Sequence, residues 1–291
     1  MRFNATPAAQ RAIPIGVSTG TFYAYPLGAA LRLIARAGAT QVELVTGPHV
    51  WVHRPASLRR MASAAGVTID SLHPPIVGFP GWRDVSSVLP RMARLAVDLG
   101  VRLLCLHPPD VLPGDDALVL RFEQALDQAD RCLRGSGVTM ALENLATNRP
   151  RDARLLFHDP VRLLDLARRH GLSVVFDTCH ADSNRLGLDG AFAVLRSAVS
   201  HVHLGDVAEP PRLLNHPVLY TFVRQHQMPG SGRLPLRRWL GELVASGYRG
   251  SVVLEISPNA LAAHWPPEAE RRLRCALQWT GEALAGLGQG A

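Results

Sequence analysis

Eight side chains able to bind a metal or move a proton stand at or just past the ends of short apolar runs. His73 closes one run in Leu-His-Pro-Pro, and His107 closes another in the same four residues. Glu143 ends a run in Ala-Leu-Glu-Asn, and Asp177 and His180 follow one in Phe-Asp-Thr-Cys-His. His203 and Asp206 occur in His-Leu-Gly-Asp, and Glu255 in Val-Leu-Glu-Ile. Carboxylates and imidazoles gathered at one place repel or compete unless a cation lies among them. Oxygen donors with an imidazole suit manganese, magnesium, cobalt, iron or zinc. Binding needs ionised carboxylates and a neutral ring, so occupancy falls in acid. Each residue alone has a plainer use: an acid after a strand is often a helix N-cap, and a histidine there can bond loop backbone. Recurrence at six run ends is what points to a joint site.

Residues this far apart meet only if the runs lie side by side. The runs read as strands at Ile13–Ser18, Gln41–Val45, Thr68–Leu72, Leu103–Leu106, Thr139–Leu142, Ser173–Phe176, His201–Leu204 and Ser251–Leu254. They are short and free of charge except for Glu43, as expected of strands buried on both faces. Amphipathic stretches alternate with them: Pro26–Ala37, Ala56–Ala65, Val85–Leu99, Ala117–Arg134, Asp159–Arg169, Leu188–Ser197, Leu236–Ala245 and Pro267–Leu287. Glycines such as Gly66 and Gly171 stop helices before the next strand. Eight alternations predict an α/β fold, a (β/α)8 TIM barrel, in which the C-terminal strand ends share one face. Residues 1–291 read as a single domain with its barrel core at about 13–287. The proline-rich stretch from Asp206 to Leu236 is expected to cross the barrel mouth. His201, two residues before His203, faces the same side one layer deeper and reads as structural. Glu43 reads equally as a substrate contact, a helix cap or an arginine partner. Cys179 reads as packing.

Composition excludes several chemistries. The chain has no lysine, so Schiff-base aldolases, pyridoxal phosphate enzymes and P-loop lysines are ruled out. The net charge of +7 comes from arginines scattered as solvated pairs such as Arg59-Arg60, Arg168-Arg169 and Arg271-Arg272. No basic segment with interleaved aromatics would track a nucleic acid strand. Cys105, Cys132, Cys179 and Cys275 form no CxxC pair. No apolar run is long enough for a membrane span, and the N-terminal residues lack a signal-peptide core. A cytoplasmic location, away from membranes, is the expectation.

Taken in order, these motifs resemble the xylose isomerase-like barrel superfamily. That group holds sugar isomerases and epimerases together with endonuclease IV-type apurinic endonucleases. The resemblance covers nearly the whole chain. It rests on the Glu143, Asp177, His203 and Glu255 motifs, on His226-Gln-Met-Pro-Gly-Ser-Gly and on Gly247-Tyr-Arg-Gly. It implies metal ligands at Glu143, Asp177, His203 and Glu255, with Glu143 and Glu255 also exchanging protons with substrate and His180 touching it. It also implies that copies self-associate. The endonuclease branch implies a second zinc on His73, His107 and Glu143. Its third zinc would use His180, His226 and an aspartate two residues before the last histidine. Arg224 stands there instead, and an arginine repels a metal. The keto-sugar epimerase pattern is also incomplete, because no arginine follows His203 until Arg212.

Two functions follow. The first is a metal-dependent isomerase or epimerase of a sugar, sugar phosphate or sugar acid, working through an enediolate stabilised by the cation. Glu143 and Glu255 would flank the reacting carbon, and His180 and His226 would bind hydroxyls of a carbohydrate-like small molecule. Trp51, Phe79 and Trp82 would form an apolar wall or pack their loops. The second is a di-zinc phosphoesterase of the endonuclease IV kind, with Arg224 clamping phosphate.

Overall fold

The computed structural model describes residues 12–75, 85–209, 216 and 220–286. Its strands are β1 (Ile15–Ser18), β2 (Gln41–Val45), β3 (Thr68–His73), β4 (Leu103–Leu106), β5 (Thr139–Glu143), β6 (Ser173–Asp177), β7 (Val199–Leu204) and β8 (Ser251–Leu254). They pair in parallel in that order and close into a barrel, with β8 returning to β1. The crossovers carry α1 (Leu27–Arg36), α2 (Pro55–Ala65), α3 (Val85–Leu99), α4 (Asp116–Leu133), α5 (Pro160–Arg169), α6 (Gly187–Leu195) and α7 (Leu236–Ala245), and α8 (Pro266–Ala285) follows β8. The expected (β/α)8 barrel is therefore the fold.

Strand alternation divides the side chains into two sets. One parity packs against the helices: Leu44, Leu72, Leu104, Leu142, Phe176, Val202 and Leu254 belong to the main apolar cluster. The other faces the barrel interior, where Leu103, Cys105, Ala141 and Val175 form a separate small cluster. Higher along these interior positions the residues turn polar. Glu43, Ser71, His73, Glu143, Asp177, His201 and His203 are all buried.

Local chemistry sets the ends of the elements. Asp159 caps α5 by accepting the Val161 N–H at 2.9 Å, with Pro160 opening the helix. Gly66 ends α2 in the left-handed region at φ 80°. Phe176 of β6 stacks on Trp239 of α7 with centroids 5.3 Å apart, and Phe192 of α6 meets the same indole edge-on. This trio anchors the strand that ends at Asp177.

Strands β3, β5 and β6 run one residue beyond the expected bounds, so His73, Glu143 and Asp177 are held by the ladder itself. β7 begins two residues early, at Val199. Short helices at Pro48–Trp51 and Thr178–Ser183 were not expected. Among the described residues, no helix is long and apolar enough to cross a membrane.

Candidate active site

A cavity of about 390 Å³ opens at the C-terminal strand ends. His73, His107, Glu143, His180, His226 and Glu255 line its floor and sides, and Thr21, Tyr23, Thr46, His49 and Pro258 add to its wall. These residues come from the ends of all eight strands or the loops that follow, which is what barrel closure accomplishes.

Glu143, Asp177, His203 and Glu255 each turn one donor atom to a common point, all within 4.8 Å of one another. His203 Nδ1 lies 3.2 Å from Glu255 Oε2 and 3.4 Å from Glu143 Oε1. Asp177 caps the short helix Thr178–Ser183: its Oδ1 accepts the His180 N–H at 2.6 Å. Asn144 clamps the same residue from β5, accepting the Asp177 N–H at 2.8 Å and donating to its carbonyl at 3.0 Å. Asp177 Oδ2 is buried with no hydrogen-bond partner among the described residues, whereas the equally buried Glu255 Oε2 and His203 Nδ1 face each other at ion-pair distance. Leaving one such group unsatisfied costs about 1–3 kcal/mol. Asp177, Glu255 and His203 all belong to the four-residue cluster, an arrangement that fits a divalent cation.

Electrostatics agree with that fit. Burial raises the Glu143 carboxyl, but His203 and His107 outweigh it and hold it well below its usual range. Burial likewise raises Glu255, yet His203 and His226 bring it down to about 2. Asp177 goes the other way, pushed up by burial that His180 and His226 only partly offset. It is the carboxylate least compensated by the protein.

Beside this cluster lies a second one. His107 Nε2 and His73 Nε2 are 2.9 and 3.2 Å from Glu143 Oε2, and 3.2 Å from each other. His73 Nδ1 donates to the Pro74 carbonyl at 2.7 Å, and although burial lowers the ring, the Glu143 hydrogen bond raises it, so Nε2 faces the carboxylate as a donor in the metal-free chain. Cys105 Sγ, one layer deeper, lies 3.4 Å from the same oxygen.

His180 and His226 meet edge-on, centroids 5.4 Å apart, beside Asp177. His180 Nδ1 donates to the Asn144 carbonyl at 2.9 Å and lies 3.2 Å from Glu143. His226 adopts a left-handed backbone, φ 53°, a conformation that stores about 1–3 kcal/mol. Its N–H donates to Cys179 Sγ at 3.2 Å and its carbonyl accepts Ser257 N–H at 2.6 Å. Gly205 makes room for this: a Cβ there would stand 2.9 Å from Cys179 Sγ and 3.1 Å from His226 Cα. Cys179 thus packs and bonds the loop, as expected.

Three residues take places the sequence did not foresee. Asp206 gathers the loop after β7, accepting N–H groups of Val207, Gly230, Gly232 and Leu234. Arg224 stacks on Tyr220 at 4.9 Å and is not among the described residues lining the cavity. Glu43 is fully buried in the barrel, within 3.3 Å of His201 and 3.1 Å of His203, and neither caps a helix nor pairs with an arginine. Its partners lie far away in sequence, so no spacing signalled this role. Trp51 packs under Arg91 at 4.9 Å and is likewise absent from the described lining. Phe79, Trp82 and Arg212 lie outside the described residues.

The model of the xylose isomerase-like TIM barrel family matches residues 31–280. The chain belongs to that family. Solved structures of the same barrel include a D-tagatose 3-epimerase-like protein, 18% identical, covering 95% of this chain and 99% of its own, with a TM-score of 0.71. The 3-keto-D-glucoside 4-epimerase YcjR from E. coli is 18% identical, with coverages of 92% and 98% and a TM-score of 0.67. A D-allulose 3-epimerase from Methylomonas sp., solved with D-allulose, is 15% identical, with coverages of 94% and 98% and a TM-score of 0.68. At these identities the likeness is one of xylose isomerase-like fold. Among curated proteins, none matches the chain.

Proposed function

We propose that this xylose isomerase-like barrel is a metal-dependent isomerase or epimerase of a small carbohydrate. The observation that carries the reading is the four-donor cluster of Glu143, Asp177, His203 and Glu255, in which the buried Asp177 Oδ2 has no hydrogen-bond partner among the described residues. The epimerases that share its fold support the substrate class.

When bound there, a divalent cation supplies Lewis-acid stabilisation of charge developing on a carbonyl and its neighbouring hydroxyl. The protein supplies the proton transfers. Glu143 and Glu255 approach from β5 and β8, and both are held ionised at neutral pH. One removes the proton beside the carbonyl and the other returns it on the opposite face, which inverts that carbon. Positioned transfers of this kind contribute about 10²–10⁴-fold in rate. In the metal-free chain burial lowers His180, but Asp177 and Glu143 raise it to about 10. With Nδ1 turned to the Asn144 carbonyl, its Nε2 is the ring atom left for a substrate hydroxyl, and His226 Nδ1 is a second polar atom lacking a partner among the described residues. Among the described lining residues none is an arginine, which favours an unphosphorylated sugar. Arg224 carries no role in this reading.

The experiment is a panel of unphosphorylated ketoses and aldoses, incubated with manganese or with chelator and resolved by chromatography. Epimer or isomer formation that needs metal supports the proposal. Conversion undiminished by chelator, or absent across the panel, counts against it.

A second reading rests on one observation, the closeness of His73 and His107 to Glu143 Oε2. It makes the chain a di-zinc phosphoesterase with Glu143 shared between two ions. Two zinc ions per chain with release of phosphate from esters would establish it.

A further inference from the structure

A buried polar layer lies in the barrel among residues absent from the described cavity lining. Glu43 is fully buried, where a carboxylate costs free energy unless it is paired. His203 Nε2 lies 3.1 and 3.2 Å from its two oxygens. Ser71 donates to Oε2 at 2.9 Å, and His201 Nε2 lies 3.3 Å from that atom. His201 is itself held from below: Arg102 approaches its Nδ1 at 3.3 Å, and Arg102 bonds Asp70 at 3.0 Å and Ser251 at 3.1 Å. The layer is therefore tied to the far end of the barrel.

Two irregularities in the sheet fall at this layer. The β2–β3 register shifts between Val42 and Glu43, so that Glu43 stands opposite Ser71. The β6–β7 register shifts between Val174 and Val175, so that Val175 stands opposite His201. Bulges re-aim side chains, and these two turn Ser71 and His201 to the barrel interior with Glu43.

We propose that Glu43 is a positioning residue for the metal centre, acting through His203. This rests on the metal-dependent reading above. A carboxylate only accepts, so with a cation in place of the Nδ1 proton the remaining His203 proton would reside on Nε2, toward Glu43. Nδ1 is the atom that faces Glu255 at 3.2 Å and Glu143 at 3.4 Å. Glu43 thus fixes both the tautomer and the ring rotation that a ligand at Nδ1 needs. Metal-ligating histidines ordinarily have such a partner, and losing it costs about 10–100-fold in metal affinity.

The test uses the full chain, stripped of metal and titrated with zinc or manganese against a chromophoric chelator. Glu43→Gln keeps the shape and one acceptor, and is expected to raise the dissociation constant about 10-fold; Glu43→Ala approaches about 100-fold. Folded Glu43→Gln and Glu43→Ala proteins that bind as tightly as the wild type overturn the proposal. A second measurement needs no variant: nitrogen-15 spectra of the zinc-loaded wild type should show the His203 proton on Nε2. A proton on Nδ1 overturns the proposal. A wild-type chain that binds neither ion overturns the metal reading itself, and this inference with it.

Discussion

Replacing Asp177 with asparagine separates two functions of one side chain, and the structure predicts opposite signs for them. Oδ1 accepts the His180 N–H at 2.6 Å, a bond the asparagine carbonyl preserves. Oδ2 is buried without a hydrogen-bond partner, beside Glu143, His203 and Glu255. In the metal-free chain it belongs to a carboxyl that burial has pushed above its ordinary range. Asparagine removes that charge and places an N–H₂ donor beside two carboxylates. Relieving one buried unsatisfied group gains about 1–3 kcal/mol. A gain near 2 kcal/mol raises Tm by about 3 °C in a chain of 291 residues. Metal binding moves the other way, because one of four ligands loses its anionic oxygen. Loss of an outer partner alone costs up to about 100-fold, so loss of a ligand costs at least about 100-fold, or roughly 2.7 kcal/mol. The assay is thermal unfolding of both proteins in chelator and in saturating manganese. The variant should melt higher than wild type in chelator and gain little from manganese, whereas wild type gains by mass action. An Asp177→Asn protein that melts lower in chelator, or binds manganese as tightly as wild type, refutes the reasoning.

Other outcomes follow from the same geometry. Glu255→Gln, assayed at saturating metal, should lower kcat about 10²–10⁴-fold with a smaller change in KM. Phe176→Ala empties the stack on Trp239 and should cost about 3–5 kcal/mol in denaturant unfolding. In the metal-free chain, burial lowers His180, but Asp177 and Glu143 raise it from its ordinary 6.5 to about 10. Its folded value exceeds its unfolded one, so its stabilisation is complete below about 6.5 and is lost as pH climbs toward 10; Tm in chelator should fall across that window. Metal affinity should also rise as pH climbs above 6.5, because His203, which burial lowers but Glu43, Glu143 and Glu255 raise well above its ordinary value in the metal-free chain, must give up a proton to bind.

The strand-end residues were legible because each interrupts or closes an apolar run, and Glu143, Asp177, His203 and Glu255 do meet. The barrel was legible for the same reason, since its strands are buried on both faces and its helices carry a polar face. What escaped has a common cause in long-range pairing. Glu43 is a lone acid in an apolar strand, and its partners Ser71 and His203 stand 28 and 160 residues away. Cys105 gave no sign that it lies under Glu143. Arg224 offered a free cation on paper, but Tyr220, four residues earlier, supplies a local ring for it. The helix at Thr178–Ser183 is too short to show a period. Its cap was nonetheless the alternative use foreseen for Asp177, and the residue both caps the helix and belongs to the cluster.

The central claim is that Glu143 and Glu255 move a proton beside a sugar carbonyl at a metal-dependent site. The measurement that meets it directly is solvent deuterium incorporation into unphosphorylated ketoses such as D-tagatose and D-allulose, followed by proton NMR in D₂O with manganese present. The account predicts exchange at the carbon next to the carbonyl, abolished by chelator and by Glu255→Gln. A manganese-loaded chain that leaves that position fully protonated across the ketose panel, while releasing phosphate from ester substrates, would contradict it.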